Sequence, residues 1–498
     1  MAANEEGQGS SSKFFFDSFM SEWPQVEEKA LVLLQELLRI DTQNYGEDCT
    51  ETEAVKVIQE RFDASKVDYE VVEPKPGRGN IIARIKGDGS SGRGPILLSS
   101  HLDTVKAPKE NWEAEGWKHN PYGGEIDEED GCLYGRGAID MKHMAAMCVM
   151  ILCFIKDNGI QLSRDLIFAG LADEERVDST YGVKYLVENR PELIEADVVI
   201  TEVGGISLHN EGKEMFSVMI GEKASSLIKI TAKGPGGHAS VYHFDNPLGT
   251  IGSVANVLSK TPLPLRIVPA GRATIESVSA QLPLVKRVLF RQLLSPTLSN
   301  LVAKAFQMEQ YQAFMPLLHN TASPTIIEGG NQANQIPSEV SLTVDCRILP
   351  GLTVEDVLDD LRFVIGLEKF EPRAMPNGEE MAPELSMEVI KHRYTYSQDP
   401  NAPEIVEVVD IIRSVIRERA NGAPVITNLL PGGTDLTYYS RHPTKTPVCL
   451  GFTPTRFPPG MKLVALFHGV NERIPVDGFK WGVRVLADVV AELCGAKR

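Results

Sequence analysis

The chain has 498 residues, 42% of them hydrophobic, 24% charged and 7% aromatic, the profile of a globular protein too long for one ordinary core. Its 50 basic and 68 acidic residues leave a net charge of −18, which argues against nucleic acid or an anionic membrane as partner, since phosphate needs clustered Lys and Arg. An anionic small molecule is not excluded, because a single local basic group can hold it.

The start, "MAANEEGQGSSSK", reads as disordered and lacks the basic and apolar regions of a signal peptide. "FFFDSFM" from Phe14 is too short to span a bilayer and reads as an apolar anchor for the first helix. Over residues 26–39, Leu31, Leu34, Leu37 and Leu38 recur at helical spacing. A second helix near 51–63 leads to the strands "YEVVE", "NIIARIKG" and "PILLSSHLDTV". A polar loop with Trp112 and Trp117 precedes a long helix from about residue 141. Its apolar run "MAAMCVMILCFI" has helix-core rather than membrane-spanning length. The strand "RDLIFAGLADEE", a helix around 180–189 and the strand "ADVVITEVGG" follow. Apolar strands separated by helices predict an α/β layer with a mixed, mostly parallel sheet covered on both faces.

After Gly221 the pattern changes to the alternating "ASSLIKITAK", then a helix "PLGTIGSVANVLSK", a helical stretch over 282–318, the strand "EVSLTVDCRI" and a helix at 353–365. This predicts a smaller α/β domain inserted into the first. Beyond the Pro- and acid-rich "MPNGEEMAPELS" the first pattern resumes to the end. The seven cysteines, Cys49, Cys132, Cys148, Cys153, Cys346, Cys449 and Cys494, are scattered without a CxxC pair. That argues against a disulfide framework or a thiolate zinc site, and fits a reducing, cytoplasmic compartment.

Ligands of open α/β sheets gather beyond the carboxyl ends of the strands. There this chain puts His101 and Asp103 after "ILLSS", Asp173, Glu174 and Glu175 after "LIFAGLA", and Glu202 after "DVVIT". Asp140 stands between them, just before the long helix. A lone acid at a strand end is a helix cap or a turn residue; four such placements in order along one sheet point to cations drawing the carboxylates together. Oxygen and imidazole donors without thiolate suit Zn2+, with Mn2+ or Co2+ as alternatives. Charge counting favours two ions, because one would leave the buried cluster net negative. The two-residue offset in "HLDTV" puts His101 and Asp103 on one side of an extended segment, so Asp103 can orient the imidazole.

In order, "SSHLDTV", "GRGAIDMK", "ADEE", "TEVGG", "GPGGHAS", "PGGTD" and "FHGVNERIPV" resemble the co-catalytic zinc aminoacylase/carboxypeptidase family. That family includes aminoacylase, carboxypeptidase G, succinyl-diaminopimelate desuccinylase and acetylornithine deacetylase. The resemblance implies that His101 and Glu202 bind one metal, that Glu175 and His468 bind the other, and that Asp140 bridges them. It makes Glu174 the general base, Asp103 the partner of His101, and His238 a lid histidine that stabilises the oxyanion. Arg347 and Asn334 match lid positions that hold the substrate carboxylate or carbonyl. Gly433 and Thr434 match a segment lining the substrate pocket. Two departures bear on specificity: Arg176, Val177 and Asp178 follow the paired glutamates where the family often has Gly, and Gln335 replaces the Val of the lid motif.

The expected division is a disordered or loosely docked segment over 1–25, a catalytic domain over 26–220 and again over 386–498, and an inserted lid over 221–385. The expected reaction is metal-dependent hydrolysis of an amide next to a free carboxylate, by a di-zinc-activated water with Glu174 as base. The substrate would be an N-acyl amino acid or short peptide, with no nucleic acid or membrane partner, and homodimerisation through the lid stays open. The insert over 282–318 resembles the larger lid of the carboxypeptidase S and long-chain N-acyl-amino-acid hydrolase branch, and could wall an acyl group. The alternatives are a dipeptidase of the carnosinase type, which usually has a second acid where Met141 stands, and a non-catalytic binding protein that kept the fold. His119, His209, His243, His319, His392 and His442 read as surface or turn residues.

Overall fold

The computed structural model describes residues 14–497, apart from 47–48, 177–178, 211, 244, 300–301, 303–313, 367–383 and 395. The chain divides into two compact units, the first formed by residues up to Met219 with Asn401–Ile426 and Tyr438 onward. The second comprises Ile220–Pro400 and Thr427–Thr437.

The first unit begins with helices α1 (Trp23–Leu38) and α2 (Glu51–Ser65) and strands β1 (Asp68–Val72), β2 (Asn80–Ile85) and β3 (Ile96–His101). A hairpin, β4 (Glu125–Asp127) and β5 (Cys132–Tyr134), precedes α3 (Lys142–Asp157), β6 (Leu166–Leu171), α4 (Val183–Asn189), β7 (Val198–Thr201) and β8 (Lys213–Glu222), the last three residues of which count with the second unit. Strands β3, β6 and β7 are buried along their whole length, and this is why they read as continuous apolar runs. They lie side by side in the order β6-β3-β7, all parallel, with β2 antiparallel beyond β6. Helix α3 is buried from Lys142 to Ile155 beneath this sheet, which explains its unbroken apolar run. No described helix is long and apolar enough to cross a membrane. Within the segment expected to dock loosely, Phe14 and Phe16 are buried, and Phe16 packs on Trp23 and Phe154; residues 1–13 lie outside the described residues.

The second unit contains β9 (Ala224–Lys233), β10 (Gly237–His238), α5 (Pro247–Lys260), α6 (Pro269–Ala280), α7 (Leu284–Arg291), β11 (Thr321–Glu328), β12 (Gln335–Ile336), β13 (Glu339–Ile348), α8 (Val354–Ile365) and β14 (Glu384–Arg393). Its sheet runs β11-β13-β9-β14, antiparallel throughout. Alternation sends Ile228, Ile230, Leu342, Val344 and Cys346 to a core covered by Ile251, Val254 and Leu258 of α5 and Val357 and Leu361 of α8. The odd-numbered residues of β9 and β13 form the other, open face. Strand β14, expected to open the returning part of the catalytic domain at 386, is an edge strand of this sheet, because its alternating Leu385, Met387 and Val389 pack on the core of the second unit. Helix α6, absent from the sequence reading, starts with Pro269 in its first turn.

The chain then returns to the first unit with α9 (Pro403–Arg419), β15 (Val448–Gly451), β16 (Arg473–Pro475) and α10 (Val476–Cys494). Strand β15 extends the parallel set beside β7, and β16 pairs with β5.

Candidate metal centre

Because β6, β3 and β7 are adjacent and parallel, their carboxyl ends set His101 between the Asp173–Glu175 turn and Glu202. Two more chain segments close on this point: the loop before α3, carrying Asp140, and the loop before β16, carrying His468. His101 Nε2 lies 3.1 Å from Asp140 Oδ1 and 3.8 Å from Glu202 Oε2. His468 Nε2 lies 3.0 Å from Asp140 Oδ2 and 3.1 Å from Glu175 Oε2. Asp140 thus offers one carboxylate oxygen to each imidazole. The donor atoms of His101, Asp140 and Glu202 all fall within 4.8 Å of one another, as do those of Asp140, Glu175 and His468. All are buried or nearly so except His468, whose side chain is 56% exposed.

The electrostatics describe a cluster with more anion than its own cations balance. Burial, with repulsion from Asp140, pushes the Glu175 carboxyl up to about 8. Glu202 is raised by burial and by the charge of Glu174. Burial would also raise Asp140, but hydrogen bonds from His101 and His468 hold it below the carboxylate range. The same contacts with Asp140 and Glu175 lift His468 to about 10. Glu175 Oε1 is buried and has no hydrogen-bond partner among the described residues. Nitrogen and oxygen donors, an orphaned carboxylate oxygen and clustered acid fit divalent cations, which the two groups sharing Asp140 would hold. Glu174 is 8% exposed and belongs to neither donor group among the described residues.

A buried polar scaffold holds these donors. Asp103 was expected to orient His101, and His101 Nδ1 does face it. The closer acceptor is the main-chain carbonyl of Asp103 at 3.0 Å, with Oδ1 at 3.5 Å. The Asp103 carboxylate accepts the main-chain N–H of Glu174 at 3.1 Å and of Glu175 at 3.0 Å, and Asn44 Nδ2 donates to it at 2.8 Å. Asp173, at φ +65°, accepts from Asn44, from Arg78 Nη2 at 2.6 Å and from the Tyr181 N–H. Glu51 completes the cluster, 3.0 Å from Arg78 Nη2, and Arg78, Glu51 and Asp173 are fully buried. Glu472 Oε1 accepts the N–H groups of Gly137, Ile139 and Asp140. Its other oxygen accepts from Arg136 Nη1 at 2.8 Å, and Arg136 Nη2 reaches the carbonyl of His468 at 3.4 Å.

Asn44, Glu51, Arg78, Arg136 and Glu472 were missed from sequence. For Glu472 a signal existed, since it sits in the same "HGVNERIP" segment as His468. His319 and His442, read as surface or turn residues, are buried, with ring nitrogens 2.6 Å from the Leu263 carbonyl and 2.9 Å from the Pro191 carbonyl, and the His442 main-chain N–H closes a turn on the Tyr439 carbonyl. Val177 and Asp178 lie outside the described residues.

The remaining candidates belong to the second unit. His238 is exposed, pairs in register with Gln335, and its Nδ1 lies 2.7 Å from Ser240 Oγ. Asn334 is exposed and accepts the Ala239 N–H through its carbonyl. Thr434 is buried, its N–H and hydroxyl both donating to Glu222 Oε2 at 2.7 Å, with half-buried Gly433 beside it. Arg347, expected to grip a substrate carboxylate, has its Nε and Nη2 on the two oxygens of Asp345, at 2.8 and 3.1 Å.

A family model described as peptidase family M20/M25/M40 matches residues 97–492. The N-fatty-acyl-amino acid synthase/hydrolase PM20D1 of Xenopus tropicalis is 25% identical over 486 residues, covering 93% of this chain and 86% of that protein. A probable carboxypeptidase S-like 2 of Dictyostelium discoideum is 26% identical over 395 residues, covering 78% of this chain and 69% of that protein. The M20 metallo-carboxypeptidase Sso-CP2 of Sulfolobus solfataricus shares the fold, with a TM-score of 0.63 at 16% identity over 93% of this chain and 98% of that one.

Proposed function

The chain belongs to the M20/M25/M40 peptidase family and is a metallohydrolase, and from that footing we propose that it hydrolyses the amide bond of N-acyl amino acids bearing a free carboxylate. The observation that carries the reading is the pair of donor groups sharing Asp140. His101 and Glu202 would hold one divalent cation, Glu175 and His468 the other, with Asp140 between them; zinc suits the donors best. A bound pair supplies a water of lowered pKa and an electrophilic partner for the amide carbonyl.

The chain's own residues do the rest. The Glu174 carboxylate takes the proton as water attacks the carbonyl carbon, then gives it to the nitrogen as the carbon–nitrogen bond breaks. Asp103 keeps the Glu174–Glu175 turn in place through its main-chain N–H groups. His238 donates a hydrogen bond to the developing oxyanion. Arg347 takes the substrate carboxylate, while Asn334, Gly433 and Thr434 line the acyl and amino acid positions. The products are a free acid and an amino acid.

A long acyl group is favoured by α7. Its Leu284, Val285, Val288 and Leu289 are exposed by 72%, 81%, 56% and 40%, a stripe of aliphatic surface unusual on a helix of a soluble domain. Within the expected acyl wall over 282–318, residues 300–301 and 303–313 lie outside the described residues. A cytoplasmic location is supported by seven buried cysteines, none in a disulfide. A homodimer through the second unit completes the proposal and is checked by light scattering.

The test is a kinetic screen of acetyl- and lauroyl-amino acids against dipeptides. Higher kcat/KM for lauroyl-amino acids supports the proposal. Equal values for both acyl groups remove the long-chain part, and turnover of dipeptides alone replaces it with the dipeptidase reading.

A further inference from the structure

The fork of Arg347 on Asp345 is the same planar, two-bond arrangement that a substrate carboxylate would take. Both residues lie two apart on β13 and point to the open face of the lid sheet, away from the core of Val344, Cys346 and Ile348. The neighbouring strands place further charge on that face. Ser225 of β9 pairs directly with Arg347 on one side and with Arg393 of β14 on the other. Directly opposed residues of antiparallel strands share a face, so Arg347 and Arg393 flank the small Ser225 from both sides. In the next row on this face, Asp345, Leu227 and Lys391 stand in line.

Arg393 also reaches the segment that resembles the pocket lining. Its Nη2 donates to the carbonyl of Thr434 at 2.6 Å, and a Cβ at Gly433 would lie 3.9 Å from its guanidinium carbon. Two adjacent rows of this face therefore carry Arg347 and Arg393 across Ser225, and Asp345 and Lys391 across Leu227, with Arg347 the residue bonded to Asp345. Asp345 and Arg347 keep 27% and 38% of their side-chain surface, so the pair is accessible and held weakly enough to exchange.

Resting on the amidohydrolase reading above, we propose that Arg347 and Arg393 form a two-arginine carboxylate clamp across Ser225. Asp345 is its resident counter-ion, and the substrate carboxylate displaces it. Asp345 then sets a threshold for binding: a carboxylate ligand competes with an internal one of the same chemistry, and a neutral amide cannot. Arg393 is a specificity residue that holds both the ligand and the Thr434 segment.

The test is steady-state kinetics on the metal-loaded protein with an N-acyl amino acid and its carboxamide. Asp345→Asn should lower KM for the acid by roughly threefold, with the change falling on KM and not on kcat, and leave the carboxamide unaffected. Arg393→Gln should raise KM for the acid by about tenfold and raise that of the carboxamide less. In Arg347→Gln, the added Asp345→Asn change should have no further effect on the acid. An unchanged or higher KM for the acid in Asp345→Asn, or equal shifts for acid and carboxamide in both variants, would overturn the clamp. Absence of turnover by the wild type would instead overturn the amidohydrolase reading.

Discussion

Asp103 Oδ1 accepts the main-chain N–H of Glu174 across 3.1 Å, so a residue following one strand sets the position of the candidate base following its neighbour. Asp103 is fully buried, and its other oxygen serves Glu175 and Asn44. In Asp103→Asn one acceptor oxygen becomes a donor facing an N–H. We expect kcat to fall by about 10- to 100-fold, with reduced metal affinity, while circular dichroism stays that of the wild type. Unchanged kcat would remove the positioning role.

Glu174→Gln keeps the size of the side chain and removes its basicity. Metal content should be retained, since Glu174 belongs to neither donor group, while kcat falls by roughly 10²–10⁴. Loss of metal together with activity would make Glu174 a ligand instead of a base.

Glu472 holds the Asp140 loop through three N–H groups and is paired with buried Arg136. Glu472→Gln leaves that guanidinium without a counter-charge and puts a donor among donors. The expected result is a drop of about 10- to 100-fold in affinity for the divalent cation, read by competition with a chelator. Wild-type affinity would show that the loop holds its shape unaided.

Much of this centre could be read along the chain, and the reason is geometric. His101 and Glu202 each follow a short apolar run, and parallel strands bring such ends together. The scaffold behind them could not be read this way. Asn44 meets Asp103 across 59 residues, and Glu472 meets Asp140 across 332; neither pairing leaves a periodic trace. The Asp345–Arg347 fork was readable in principle, because residues two apart on a strand share a face. The resemblance points Arg347 at the substrate carboxylate, and what the sequence does not show is that Asp345 holds its guanidinium meanwhile. The Pro- and acid-rich approach to β14 reads as a linker, whereas the alternation of Leu385, Met387 and Val389 packs the strand on the core of the second unit.

Lys223 gives a pH test in the second unit. Its ammonium is buried, donates to the carbonyls of Pro316 and His319, and is pushed down by burial, then by the charge of Arg347, to about 7 from an ordinary 10.5. Between those values the unfolded chain binds more protons than the folded one, so stability rises with pH. The contribution is fully present above the ordinary value and is lost as pH falls through about 7. Lys223→Met should flatten that rise, a difference on the order of a few kcal/mol across the window. Thermal melts of both proteins from pH 7 to 10 check this, and parallel curves would contradict it.

Metal stoichiometry by elemental analysis of the wild type and of His468→Ala bears most directly on the shared-carboxylate centre. Two divalent cations per chain should fall to one in the variant, since His101, Asp140 and Glu202 still form a complete donor group. An active wild type carrying a single cation, or a variant that still holds two, would contradict a centre bridged by Asp140.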